Sequence, residues 1–386
     1  MNVKIFESFY FKDLQKLNFI IIDELLLNLI LVYSNIGNIS QNKLLHKKIS
    51  MKTVNAYATN DVGGKLIPFQ YELPELGTDQ VDIKVHYCGI CHSDLSMLNN
   101  EWGMTQYPFV PGHEIVGEVI AVGSDVNNLE PGNFVGLGWN SASCMHCKQC
   151  MDGSHHLCDT VEGTIIGRHG GFADTVRSHW SWAIPLPQGI DLKKAGPLLC
   201  GGITVFNPIL LADVKATDRV GVIGIGGLGH MALKFLNKWG CEVVAFSSNP
   251  DKKDQIMAMG ATKIVNSRDP EELESIAGSL DFILNTTNVT LDWNSYLTAL
   301  APKGRFHNVG AVLEPLAIPA FSLIMGEKSV AGSPLGSPAL TLKMLEFCVR
   351  HEIYPMVEEF PLSEVNEAMD HLEQGKARYR IVLKVS

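Results

Sequence analysis

Apolar and polar positions divide the chain into two styles. From Met51 to about Cys200 the apolar residues recur with the two-residue period of half-buried strands, as in DQVDIKVHYCGI (79–90) and PGHEIVGEVIAVGS (111–124). Glycine and proline punctuate the runs. This pattern predicts a small β-barrel with long loops. From about Gly201 short apolar runs alternate with helical stretches. RVGVIGIG, CEVVAFS, TKIVN, LDFILNT, GRFHNVG and KSVAGS read as six strands, and helices between them make a parallel, doubly wound sheet. The segment after about Leu335 predicts a helix, PALTLKMLEFCVRH, and a last strand, YRIVLKV, that returns to the first domain. The expected fold class is therefore α/β, with a catalytic domain over 51–200, a cofactor domain over 201–335 and a return over 336–386.

The first fifty residues do not share this pattern. LNFIIIDELLLNLILVY (17–33) is apolar enough to suggest a membrane anchor, but Asp23, Glu24 and Asn28 interrupt it, and acids are costly in hydrocarbon. No small-residue cleavage site follows. The expected reading is a disordered extension, or sequence upstream of a start at Met51, dispensable for catalysis. No membrane partner is expected.

Composition removes other classes. The chain has 386 residues, a formal net charge of −10 and no basic run with interleaved aromatics, which argues against nucleic acid. Nine cysteines, an odd number with four in one segment, suggest metal and a reducing, cytoplasmic compartment rather than a disulfide scaffold.

Three patterns carry chemistry. VGVIGIGGLGH contains Gly224-x-Gly226-x-x-Gly229, with Gly227 and Leu228 between, after a β-branched strand and at the opening of a helix. In that context the glycines allow a tight turn and close approach of a pyrophosphate, whose charge the helix N-terminus favours. CMHCKQCMDGSHHLC places Cys144, Cys147, Cys150 and Cys158 at C-x2-C-x2-C-x7-C. Short gaps let thiolates converge on one tetrahedral ion; four of them fill it, so the site is structural, with an iron–sulfur cluster the less favoured reading. Lys148 is placed to offset the thiolate charge. Elsewhere, GICHSDL offers Cys91, His92, Ser93 and Asp94, PGHEIVGE offers His113 and Glu114, and LLCGGITVF offers Cys200. Two thiolates and an imidazole leave a fourth position open, as in a catalytic zinc site.

These motifs, in this order, resemble the zinc-dependent medium-chain dehydrogenases, in the branch of cinnamyl alcohol dehydrogenases and NADP-dependent aldehyde reductases. The resemblance also rests on RYRIVL and runs from about Met51 to Ser386. It implies a GroES-like catalytic domain, a Rossmann domain, two zinc ions per subunit and a homodimer. It assigns Cys91, His113 and Cys200 to the catalytic zinc, Glu114 to a carboxylate beside the metal, Ser93 to proton donation and Thr204 to the nicotinamide. Relatives usually carry a histidine at the position of Ser96, so the proton must leave through water or another group such as His92.

The cofactor follows from the second Rossmann strand. An NAD enzyme usually ends it with an acid that binds the ribose 2′-hydroxyl. Here Ser247, Ser248 and Asn249 stand at its end, and Lys252 follows on what reads as the first turn of the next helix. Hydroxyls and a cation suit a 2′-phosphate, and the resemblance gives Ser247, Ser248 and Lys252 that role. The expected cofactor is NADP(H), and the expected substrates are small aromatic or aliphatic aldehydes and their alcohols. Trp102, Trp139, Leu98 and Phe109 are candidates for pocket or core. The alternatives are an NAD-dependent polyol or secondary alcohol dehydrogenase and a non-catalytic binding protein on the same scaffold.

Overall fold

A computed structural model describes residues 51–386; the readings of 17–33 and of the rest of 1–50 lie outside the described residues. The strand Gln80–Ile90 is the hub of a seven-stranded sheet. It pairs antiparallel with Ile115–Val122, Thr175–His179 and Arg380–Lys384. Its alternation does what the pattern predicts: Val81, Ile83 and Val85 are fully buried in the core with Ile115, Val119 and Phe172. Asp82, on the same strand, is also buried, directly opposite Arg177, whose Nε donates to it at 2.7 Å. Arg177 Nη1 also reaches the carbonyl of Pro74 at 2.8 Å, so the buried charges are hydrogen-bonded rather than orphaned.

All six strands expected after Gly201 form. They are parallel, in the order Lys263–Val265, Glu242–Phe246, Arg219–Ile223, Leu280–Asn285, Leu300–Asn308 and Ser329–Gly332. Chain order reverses beside Arg219–Ile223, which makes its carboxyl end the crevice of a doubly wound sheet. Val220, Val222, Val243 and Ala245 are fully buried, as strands covered on both faces require. The helix Pro338–His351 matches its sequence segment, with Ser337 accepting from Leu340 N and Pro338 at the first position. The strand Arg380–Lys384 then closes on Gln80–Ile90 and pairs in parallel with Val357–Pro361.

One element differs from its sequence reading. A 3₁₀ turn, Pro250–Lys252, precedes the helix Lys253–Ala258, so Lys252 sits just before that helix. Pro250 and the Asn249 side chain, which accepts from Asp251 N at 2.9 Å, favour the tighter turn. Among the described residues no single helix is long and apolar enough to cross a membrane; the bent pair Leu192–Leu199 and Gly201–Leu211 is apolar because Leu198, Leu199, Ile203 and Phe206 pack in the core.

Candidate active site

Three element boundaries converge on one buried cluster. Cys91 is the N-cap of the helix His92–Leu98, His113 and Glu114 immediately precede the strand Ile115–Val122, and Cys200 precedes the helix Gly201–Leu211. The ligand atoms of Cys91, His113, Glu114 and Cys200 all lie within 4.8 Å of one another, and all four residues are buried. The two sulfurs are 3.9 Å apart.

Asp94 organises this group. It accepts from Cys91 N at 2.9 Å and from Gly112 N at 2.8 Å, and its Oδ1 is 2.9 Å from His113 Nδ1. With the carboxylate on Nδ1, the other nitrogen is the free electron pair. That Nε2 is buried with no hydrogen-bond partner among the described residues, and so is Glu114 Oε2. Buried polar atoms left unpaired are costly, and a cation among two sulfurs, an imidazole nitrogen and a carboxylate would satisfy both. The Cys91 thiol is held well below its ordinary pKa, chiefly by a hydrogen bond from Cys200, which outweighs burial; the Arg380 charge adds to this. Burial raises the Glu114 pKa against the pull of Arg380, whose guanidinium donates to its Oε1. Gly89 makes room for that carboxylate, since a Cβ there would stand 2.0 Å from Glu114 Oε2.

Around the cluster, the edge of the Trp139 ring meets His113 with centroids 4.8 Å apart, and Trp102 meets Trp139 at 6.0 Å. Ser93 is half-buried, its Oγ 3.8 Å from Cys91 Sγ. Thr204 is half-buried on the first turn after Cys200. Ser96 is buried, whereas His92 is exposed. Phe109 and Leu98 belong to the hydrophobic core.

The second cluster is the cysteine loop. Cys144, Cys147, Cys150 and Cys158 again bring their sulfurs within 4.8 Å. Backbone amides turn inward: Cys147 N donates to Cys144 Sγ at 3.3 Å and Cys150 N to Cys147 Sγ at 3.4 Å. The Cys158 thiol is drawn down to about 6, chiefly by the backbone N–H of Cys144 and then by Thr160. Lys148 does not serve the thiolates as expected; its ammonium is exposed and pairs with Asp152 at 2.9 Å. The amides face the sulfurs instead, from Cys147 at the N-cap of the short helix Lys148–Met151 and from Cys150 within it.

The glycine turn joins the strand Arg219–Ile223 to the helix Gly229–Trp239. Gly224 has φ +85°, and a Cβ on it would stand 2.3 Å from Thr287. A Cβ on Gly226 would meet nothing within 4 Å, so the backbone there is open to a ligand, and Leu228 caps the helix behind it. Arg380 Nη1 flanks the same turn, 3.0 Å from where a Gly227 Cβ would be. At the end of the strand Glu242–Phe246, Ser247 is half-buried, Ser248 exposed and Lys252 half-buried.

Relatives share this arrangement. The alcohol dehydrogenase GroES-like domain matches residues 77–188, and the zinc-binding dehydrogenase domain matches 227–350. An aldehyde reductase, AdhA, of Synechocystis is 54% identical over 333 residues, covering 86% of this chain and 99% of that protein. This chain belongs to the zinc-binding alcohol dehydrogenase family. Within the family it falls in the branch of cinnamyl alcohol dehydrogenases and aldehyde reductases. A solved cinnamyl alcohol dehydrogenase of Sorghum bicolor has a TM-score of 0.83 at 36% identity, covering 86% of this chain and 98% of that one. The Helicobacter pylori enzyme, solved with NADP(H), has a TM-score of 0.80 at 31% identity and covers 86% of this chain and 98% of that one.

The sequence offers Asp94 in GICHSDL as a candidate without a role; its position three residues after Cys91 is that of a capping-box acid. One residue of this dehydrogenase site escaped the sequence reading. Arg380 opens a strand whose next three residues are apolar and buried, where a buried arginine requires an acidic partner.

Proposed function

We infer that this zinc-dependent alcohol dehydrogenase interconverts small aromatic or aliphatic aldehydes and their alcohols with NADP(H). The unpartnered, buried His113 Nε2 beside the Cys91 and Cys200 sulfurs carries this reading. In it, Cys91, His113 and Cys200 hold the catalytic zinc, with Glu114 as an interchangeable fourth ligand, and the four-cysteine loop holds a second, structural zinc. Zinc bound in the first cluster supplies Lewis acidity to the substrate oxygen, and reduced nicotinamide supplies the hydride. Asp94 keeps the proton on His113 Nδ1 and aims Nε2 inward. Ser93 donates the proton that the substrate oxygen takes up in reduction. Buried Ser96 has no basic group to accept a proton near neutral pH, so the proton path runs from Ser93 through water or exposed His92. Thr204 contacts the nicotinamide, and Trp102 and Trp139 form an apolar wall for the substrate. Gly224, Gly226, Gly227, Leu228 and Gly229 form the pyrophosphate turn.

Ser247, Ser248 and Lys252 form the 2′-phosphate site in this reading, with no acid at the strand end to oppose it. A charge-assisted hydrogen bond is worth about 1.5–3 kcal/mol, roughly ten- to a hundredfold in affinity. Ser248→Asp is therefore expected to erase or reverse the preference, mainly by raising KM for NADPH. Steady-state kinetics over a panel of aldehydes with NADPH and NADH test both claims. Equal or better efficiency of the unmodified protein with NADH would sink the cofactor assignment and favour an NAD-dependent polyol or secondary alcohol dehydrogenase.

The same reading places catalysis in 51–200 with 336–386, the cofactor in 201–335, and nothing essential in 1–50. A homodimer is supported by the open edge strand Ser329–Gly332, which is mostly exposed, and by exposed Leu313, Phe321, Ile324 and Met325 nearby in the chain. An antiparallel pairing of two copies of that edge about a two-fold axis would cover both features. Phe321→Glu with Met325→Glu is expected to halve the mass seen by light scattering; an unchanged mass would place the contact elsewhere. The nine cysteines, all free, support a reducing cytoplasm.

A further inference from the structure

The segment RYRIVL does more than supply Arg380. Tyr379 is buried, and it meets three groups that hydride transfer does not use. Its ring stacks on the His230 imidazole, with centroids 4.9 Å apart and planes 13° from parallel. Its hydroxyl donates to Gln255 Oε1 at 2.8 Å. The Lys252 ammonium stands 5.7 Å from its ring centroid. His230 lies in the first turn of the helix after the glycine motif, its Nδ1 3.2 Å from the carbonyl oxygen of Gly226. Lys252 and Gln255 flank the start of the helix Lys253–Ala258. One ring thus ties the turn that faces the pyrophosphate to the turn that carries Lys252.

A lysine on a surface turn ordinarily samples many rotamers. A ring face within about 6 Å attracts its ammonium electrostatically. Ordering achieved before a ligand arrives is not charged against binding. Burial depresses the His230 pKa to about 3, so the imidazole in the stack is neutral and does not repel the ammonium. We propose that Tyr379 is a specificity-determining positioning residue that holds Lys252 ready for the ribose 2′-phosphate. The proposal rests on the NADP(H) reading above and names a residue outside the strand-end serines that sharpens it.

Calorimetric titration of the full chain with adenosine 2′,5′-bisphosphate and with adenosine 5′-monophosphate measures phosphate discrimination without turnover. Tyr379→Leu is expected to weaken the bisphosphate by roughly three- to tenfold and the monophosphate by less than about twofold. Tyr379→Phe, which keeps the ring face, is expected to keep the discrimination. In a Lys252→Met background, Tyr379→Leu should add nothing. Equal weakening of both probes, or the same loss without Lys252, would overturn the proposal, as would loss of discrimination in Tyr379→Phe. Should Tyr379→Leu not fold, a heavily fluorinated phenylalanine at 379 keeps the shape and removes the negative ring face; retained discrimination there overturns the proposal, and lost discrimination supports it. An unmodified protein that does not discriminate the two probes sinks the NADP(H) reading itself. A discriminating parent with an unaffected Tyr379→Leu sinks only the role of Tyr379.

Discussion

Cys91→Ser is expected to lower kcat/KM for aldehyde reduction by about a thousandfold or more, while the circular dichroism spectrum stays that of the parent. Metal analysis should fall from two zinc ions per chain to one. The size follows from the chemistry: a metal that polarises a carbonyl oxygen supplies several kcal/mol of transition-state stabilisation, and each 1.36 kcal/mol is about tenfold in rate. The specificity follows from the fold. Cys91 caps the helix His92–Leu98 through its backbone, and Asp94 bonds its N–H, which serine retains. Cys147→Ser removes a sulfur from the other cluster and should lose the other zinc, with stability falling before the chemistry does. A parent protein that folds with one zinc or none per chain would refute the two-site assignment.

Arg380→Met is expected to be the most destabilising single change outside the metal clusters. Arg380 is 5% exposed and Glu114 fully buried, and the two are bonded. Burial disfavours the guanidinium, but Glu114 first and then Cys91 and Cys200 hold its pKa above the ordinary value. Removing one partner of a buried pair leaves the other charge uncompensated, at a cost of about 3–5 kcal/mol. For a chain of 386 residues that cost corresponds to a drop in melting temperature of roughly 5 °C. Calorimetry checks this, and adding Glu114→Leu should recover most of the loss. A shift of less than about 1 °C would mean that the pair does not bear on folding.

The six parallel strands, and Gln80–Ile90, Ile115–Val122 and Arg380–Lys384 of the other sheet, were legible because each is a short apolar or alternating run; Thr175–His179 and Val357–Pro361, with polar and charged residues among their few positions, were not read as strands. The four-cysteine cluster was legible because its members lie close in sequence. The cluster of Cys91, His113 and Cys200 was not a local signal: 109 residues separate its two sulfurs, and only the kinds of side chain, an open zinc set of two thiolates and an imidazole, and then the resemblance joined them beforehand. Arg380 was missed for the same reason, with its partner 266 residues away. Lys148 misled because charge balance was read from adjacency, whereas its side chain finds Asp152 one helical turn on and backbone amides face the sulfurs. Phe109 and Leu98 show the same limit: composition marks them apolar, but only packing tells core from pocket wall.

The late arrival of Arg380 bears on how the chain is made. Ribosomes deliver the strand Ile115–Val122 and Glu114 well before the strand Arg380–Lys384 exists, and Gln80–Ile90 waits for the same partner along one edge. During that interval the Glu114 carboxylate has no guanidinium to face and the Tyr87–Ile90 end of one edge of the hub strand stays open, while Gln80–Lys84 on that edge pair with Thr175–His179. Nascent chains with unpaired edges are the ones that aggregate or recruit chaperones. The residue that pairs with Glu114 therefore also closes that edge, so a ribosome-bound chain that stops short of Arg380–Lys384 should be inactive and chaperone-dependent together.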